Sequence, residues 1–232
     1  MDFRSLFSRR PSEPQGGGDA PLSADEPAYP TKALAKFLKL LQSRDNPALI
    51  DLGPVVGSNV TFFGEHLGCR IRVEDIAADV ERHVKDGKVD ELPAFFGTRF
   101  RQEPESIDGV LCWDVFDFLE RPAAQALATA LMRLLRPDGA LLGFFSTTDG
   151  RPQMYTKFMV VDEGSLRYRT YAASRPRQKV LQNRDINKMF EGLRVTESFL
   201  MKNNVREILF KKPAYLTPPS PDAESKAPKA DG

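Results

Sequence analysis

The chain is 232 residues long, 41% hydrophobic and 28% charged, with Lys plus Arg at 33 against Asp plus Glu at 32. That supplies one sizeable core, and a formal charge of +1 sets up no global field toward nucleic acid or anionic membrane. Cys69 and Cys112 lie in apolar runs without metal-type spacing, and the longest apolar stretch, Gly139 to Phe145, falls well short of the roughly 18 residues of a membrane span. A disulfide scaffold, a zinc ribbon and a transmembrane helix are therefore excluded, and a cytoplasmic location is expected.

Residues 1–29 are rich in Pro, Gly, Ser and acids, and read as a disordered tail and linker. Phe3, Leu6 and Phe7 among Arg4, Arg9 and Arg10 read as a frayed terminus, since so short a helix is marginal alone. Residues 214–232 read as a second tail, which leaves a domain over 30–213. Leu34, Phe37, Leu38 and Leu41 follow the spacing of a one-faced helix, with Pro30 suited to its start. ALID, from Ala48 to Asp51, is a short buried strand. GPVVG turns the chain, and Ser58 or Asn59 can cap a helix running to Leu67 and Gly68. RIRVEDI, from Arg70, is a second strand followed by a helix. A third strand, weakly signalled, is expected near Phe95 to Phe100.

IDGVLCW, from Ile107 to Trp113, is a strong buried strand, and Pro122 opens a helix carrying Leu127, Leu131, Leu134 and Leu135. After the turn Arg136 to Gly139, ALLGFF forms another strand. Strands alternating with helices predict an α/β, doubly wound, mostly parallel sheet. Residues 150–182 are extra, and predict a β-hairpin insertion or lid around Asp162-Glu163-Gly164-Ser165. A helix from Asn183 to Phe190 follows, then two strands, Arg194 to Phe199 and Arg206 to Phe210, joined closely enough to be antiparallel. That ending departs from the all-parallel layout of dinucleotide dehydrogenases.

Four segments carry chemistry: ALIDLGPVVGS, RVEDIAAD, SIDGVLCWDVFDFL and LLRPDGALLGF. In order and spacing they resemble class I S-adenosylmethionine-dependent methyltransferases from about Leu34 to Lys212. The resemblance implies a Rossmann-like seven-stranded sheet closed by a C-terminal antiparallel hairpin, S-adenosylmethionine as cofactor, and methyl transfer to an unidentified acceptor. The family's D/E-x-G-x-G-x-G pattern falls on Asp51, Gly53, Val55 and Gly57, with Val55 in place of the middle glycine. Gly53 permits a tight exit from the strand, and the next helix start offers backbone donors to an anion. A β-branched Val55 resists positive φ and brings a side chain to where the cofactor approaches.

Asp75 lies 22 positions after Gly53, close to the spacing of an acid that accepts from ribose hydroxyls, with Glu74 as the alternative one register away. Asp114 follows the fourth strand, where the cofactor's amino group or a substrate would lie. Trp113 either walls the pocket or packs in the core, and Asp114 and Asp117 are neighbouring acids on a short loop. No catalytic base is assigned, because displacement at a sulfonium needs positioning above all. No H-E-x-x-H, G-K-S/T or G-x-S-x-G occurs, and no metal is expected at His66 or His83.

Arg167, Arg169, Arg175, Arg177, Lys179 and Arg184 interleave with Tyr155, Tyr168 and Tyr171 in and after the insertion. Such a lid suits an acidic or phosphorylated acceptor, and nucleic acid is the less favoured partner of a near-neutral chain. Val55 motivates a different expectation, a non-catalytic methyltransferase-like binding or scaffold protein. RNA contact through the insertion is the weaker alternative.

Overall fold

The computed structural model describes residues 27–149, 153–201 and 203–214. The expected tails lie outside these residues apart from 27–29 and 214, as does the start of the insertion at 150–152. Tyr29 belongs to the fold, because Tyr29–Pro30 forms a short strand, β1, paired with a strand of the insertion. Pro30 therefore lies ahead of the first helix, α1 (Ala33–Gln42), which buries Leu34, Phe37, Leu38 and Leu41. No described helix is long and apolar enough to cross a membrane.

The central sheet has six strands. In chain order they are β2 (Ala48–Asp51), β3 (Arg70–Val73), β4 (Ile107–Trp113), β5 (Leu135–Ser146), β8 (Arg194–Leu200) and β9 (Val205–Lys211), arranged β3-β2-β4-β5-β9-β8. The first four neighbours run parallel, and β9 pairs antiparallel with both β5 and β8. Every residue of β2 and β4 is buried, as central parallel strands require.

The third strand expected near Phe95 to Phe100 is instead a helix, α4 (Leu92–Arg99). Pro93 in its first turn presets helical φ, and Leu92 and Phe96, one turn apart, are its buried pair. The sheet consequently ends at β3 on that side.

Two apolar layers cover the sheet. One face holds Val80 of α3 (Ile76–Lys85), Phe96 of α4, Leu127 and Leu131 of α5 (Arg121–Leu134), and Ile186 of α6 (Asn183–Met189). The other holds Phe37 of α1, Phe63, Trp113, Phe144 and Val160. A Cβ on Gly109 would lie 2.7 Å from Leu41 and 2.9 Å from Phe37, so the glycine lets α1 settle on β4.

β6 (Met154–Asp162) and β7 (Ser165–Ala172) form an antiparallel hairpin, and with β1 a second sheet ordered β1-β7-β6. The side chain of Asp162 accepts from the Gly164 N–H at 2.8 Å and shapes the turn. The hairpin is anchored by Asn59 of α2 (Gly57–Thr61). Its Nδ2 donates to the Phe158 carbonyl and its Oδ1 accepts from the Val160 N–H, both at 2.8 Å. Asn59 is thus an anchor for β6 and not a helix cap; Val56 holds the cap position of α2, and the helix continues as a π turn over Phe62–His66.

Candidate functional site

The carboxyl ends of β2 and β4 lie side by side, where an open parallel sheet binds ligands. Asp51 closes β2, and burial pushes its carboxyl up to about 6. Its Oδ1 accepts from the Gly53 N–H at 2.9 Å and from the Trp113 indole N–H at 2.6 Å. Trp113 ends β4 with φ at 48°, a conformation that a bulky residue holds only when its surroundings impose it. Its ring stacks on Phe158 of β6 with centroids 5.1 Å apart and planes 9° apart.

A Cβ on Gly53 would meet Trp113 Cδ1 at 2.9 Å. The close approach that Gly53 permits is therefore made by the protein's own indole. Tyr155 and Tyr171 of the hairpin close over the same cleft, leaving about 20 Å³ bounded by Gly53, Ile76, Trp113, Asp114, Tyr155 and Tyr171. That is room for about one water molecule.

Both acids after β3 have partners within the protein. Glu74 meets Arg99 Nη1 at 2.6 Å and Arg72 Nε at 2.6 Å. Because α4 stands where a strand was expected, it carries Arg99 to Glu74 and, at 2.8 Å, to Asp79. Asp75 caps α3, its Oδ1 accepting from the Ala78 N–H at 3.0 Å. Gly57 is the first residue of α2 and has open space where a Cβ would lie. Val55 is 61% exposed and borders neither cavity, so the side chain expected to narrow the cofactor's approach lies in solvent. Of the six candidates Asp51, Gly53, Gly57, Glu74, Asp75 and Asp114, the structure brings Gly53 and Asp114 to one cleft, with Asp51 buried beside it and bonded to Gly53.

Asp114 borders a second, larger chamber as well, about 720 Å³, between the hairpin sheet and the ends of β5, β8 and β9. Phe144, Phe158, Leu166, Tyr168 and Val205 supply its walls. At its floor Arg177 Nη2 meets Asp114 Oδ2 at 2.5 Å and Nη1 meets Asp117 Oδ2 at 2.6 Å, while the guanidinium lies 4.4 Å from the centre of the Phe118 ring. Thr156 donates to Asp114 at 3.0 Å, and the Ser146 hydroxyl donates to Asp117 at 2.5 Å. Burial and the Asp114 charge raise the Asp117 carboxyl to about 6. Glu207 of β9, 3% exposed, also borders the chamber and accepts through Oε2 from the Lys32 and Ala33 N–H groups at the start of α1.

Arg177 and Glu207 are the site residues that sequence reasoning missed in these roles. Asp114 and Asp117 carry a local signal, two acids three positions apart after a buried strand. Arg177 lies 60 positions beyond Asp117, and no spacing rule pairs them. Arg175 is likewise turned inward, to Glu120. His83 is a satisfied core histidine whose Nδ1 lies 2.7 Å from the Asp79 carbonyl, and among the described residues no cluster is arranged to hold a metal.

No protein-family model and no curated protein matches the chain. Solved structures similar in overall course include S-adenosylmethionine-dependent methyltransferases. The 1,6-didemethyltoxoflavin-N1-methyltransferase of Burkholderia thailandensis, solved with 1,6-didemethyltoxoflavin and S-adenosylhomocysteine, is 14% identical over 78% of this chain and 77% of its own, with a TM-score of 0.45. A SAM-dependent methyltransferase from Aquifex aeolicus is 14% identical over 77% and 88%, with a TM-score of 0.42. The [4+2]-cyclase SpnF is 9% identical over 78% and 81%, with a TM-score of 0.46. Such likenesses describe the course of the chain and leave its chemistry to its own side chains.

Proposed function

We propose that this chain binds an apolar small molecule in the chamber between its two sheets, on a methyltransferase-like architecture that does not engage a cofactor. The contrast in room carries this reading: about 720 Å³ in the chamber against about 20 Å³ in the cleft over Gly53. An apolar cavity of that size with a few convergent polar groups has the character of a ligand site. S-adenosylmethionine does not fit the cleft. Trp113 fills the approach over Gly53, Glu74 is held by Arg99 and Arg72, and Asp75 spends one oxygen on capping α3.

The test is calorimetric titration of the full chain with S-adenosylmethionine and S-adenosylhomocysteine, beside titration with phenylbutanol as a neutral apolar probe. The expected result is no saturable heat from either cofactor form, saturable binding of phenylbutanol, and weaker binding in Val205→Phe, which narrows the chamber. Absence of phenylbutanol binding overturns the reading.

S-adenosylmethionine-dependent methyl transfer to an unidentified acceptor is the second reading. The gathering of Asp51, Gly53 and Asp114 at the carboxyl end of the parallel strands favours it. Part of the closure comes from Tyr155 and Tyr171 on the hairpin, so displacement of β6 and β7 would enlarge the cleft. Saturable binding of S-adenosylmethionine by the unaltered chain replaces the first reading with this one.

A further inference from the structure

We infer that the chamber takes an organic ammonium, a protonated amine carried on an apolar body of about the size of an aryl group. The inference rests on the reading of the chamber as a ligand site, and adds the charge of what enters it. Three carboxylates border the chamber, and all are nearly buried: Asp114 and Asp117 at 8% exposure and Glu207 at 3%. One guanidinium, that of Arg177, is shared between the two aspartates, and its side chain is 11% exposed. The other cation, Lys32, is exposed at the rim, with Nζ 5.6 Å from the centre of the Phe199 ring. The interior therefore carries more acid than base.

Asp114 receives Arg177 and Thr156 on Oδ2, and Glu207 receives both α1 N–H groups on Oε2. Carboxylates of this kind call for N–H donors, which an ammonium supplies and a carboxylate or phosphate does not. The aromatic walls Phe144, Phe158 and Tyr168 suit the same charge, since an aromatic ring attracts a cation through its quadrupole. Of the six cations that suggested an acidic ligand from sequence, Arg175 pairs with Glu120, and Arg177 with Asp114 and Asp117.

The experiment uses the full chain and three probes of matched apolar body: phenylbutylamine, phenylbutanol and phenylbutyrate. Binding is read by calorimetry and by the emission of Trp113, the one tryptophan of the chain, whose ring touches the chamber walls Phe158 and Phe144. The expected order is amine, alcohol, acid, with the amine tighter than the alcohol by about tenfold or more. Asp114→Asn and Glu207→Gln each narrow the gap between amine and alcohol; thermal melts establish that each variant is folded. Alcohol or acid binding as tightly as the amine overturns the inference and leaves the chamber a ligand site. No binding by any probe overturns both. The three-probe comparison on the unaltered chain decides even where a variant fails to fold.

Discussion

Trp113 donates its indole N–H to Asp51 Oδ1 at 2.6 Å, and the same oxygen accepts from the Gly53 N–H. One carboxylate therefore ties the end of β4 to the turn that leaves β2. The left-handed backbone of Trp113 costs on the order of 1–3 kcal/mol, offset by this bond and by stacking on Phe158. The arrangement fills the position over the turn with protein, which is what separates this cleft from an open ligand site.

If the indole is what lies against Gly53, adding a methyl group there forces the ring aside. Gly53→Ala is expected to destabilise the fold by about 1–3 kcal/mol, the range for overpacking a well-filled site. In a Trp113→Leu background the cost should shrink by about 1 kcal/mol, as coupled neighbours do. Urea unfolding of the two single variants and the double variant measures the coupling. Equal costs in both backgrounds would show that the methyl group meets something other than the indole.

Asp51 gives a pH-dependent test. Folded, its carboxyl holds a proton up to about pH 6, whereas its ordinary value is 3.8. Between these values the folded state binds more protons than the unfolded state, so this group's contribution to stability falls as pH rises through that window. Asn cannot titrate there and keeps an oxygen for the Gly53 and Trp113 donors. Asp51→Asn should therefore gain on the parent by roughly 2–3 kcal/mol between pH 3.5 and pH 7, read as a difference in melting temperature that grows with pH. A constant difference would place the folded carboxyl near its ordinary value.

The centre of the parallel half was legible because its strands β2 and β4 are buried on both faces: ALI and VLCW read as apolar runs. The terminal pair β8 and β9 was legible because Met201 to Asn204 is too short for a crossover. Phe95 to Phe100 misled because three aromatics resemble a strand, while the decisive residue, Pro93, lies before them. In the site, Asp51, Gly53 and Asp114 could be located from the ends of their strands. What Gly53 lies against could not, since that depends on the positive φ of Trp113, which aims the ring back over β2. The Arg177 pairing was equally hidden, because only the folding of the insertion onto the sheet joins residues so distant in sequence.

That pairing predicts an asymmetric response to mutation. Arg177→Met keeps the length of the side chain but leaves Asp114 and Asp117 without their shared cation in a nearly buried place. The expected loss is about 3–5 kcal/mol, as for breaking one side of a buried ion pair. Adding Asp117→Asn removes one of the stranded charges and should recover part of that loss, with Ser146 still able to donate to the remaining oxygen. Denaturant titration of the parent, the single and the double variant decides. A double variant less stable than Arg177→Met would mean that the bonds from Ser146 to the Asp117 carboxylate outweigh the relief of its charge.

The last prediction concerns the residue that departs most plainly from the glycine pattern. If Val55 closed the cleft, Val55→Gly would open it; but Val55 is exposed and borders neither cavity, whereas Trp113 lies against Gly53. Val55→Gly should therefore alter stability by no more than about 1 kcal/mol, mainly through the freedom of the unfolded chain, and leave S-adenosylmethionine binding as it is in the parent. Calorimetry on the pair measures this directly. A gain of saturable binding in Val55→Gly would mean that the backbone of the turn, relaxed by the glycine, controls access to the cleft, and that the indole yields once the turn can move.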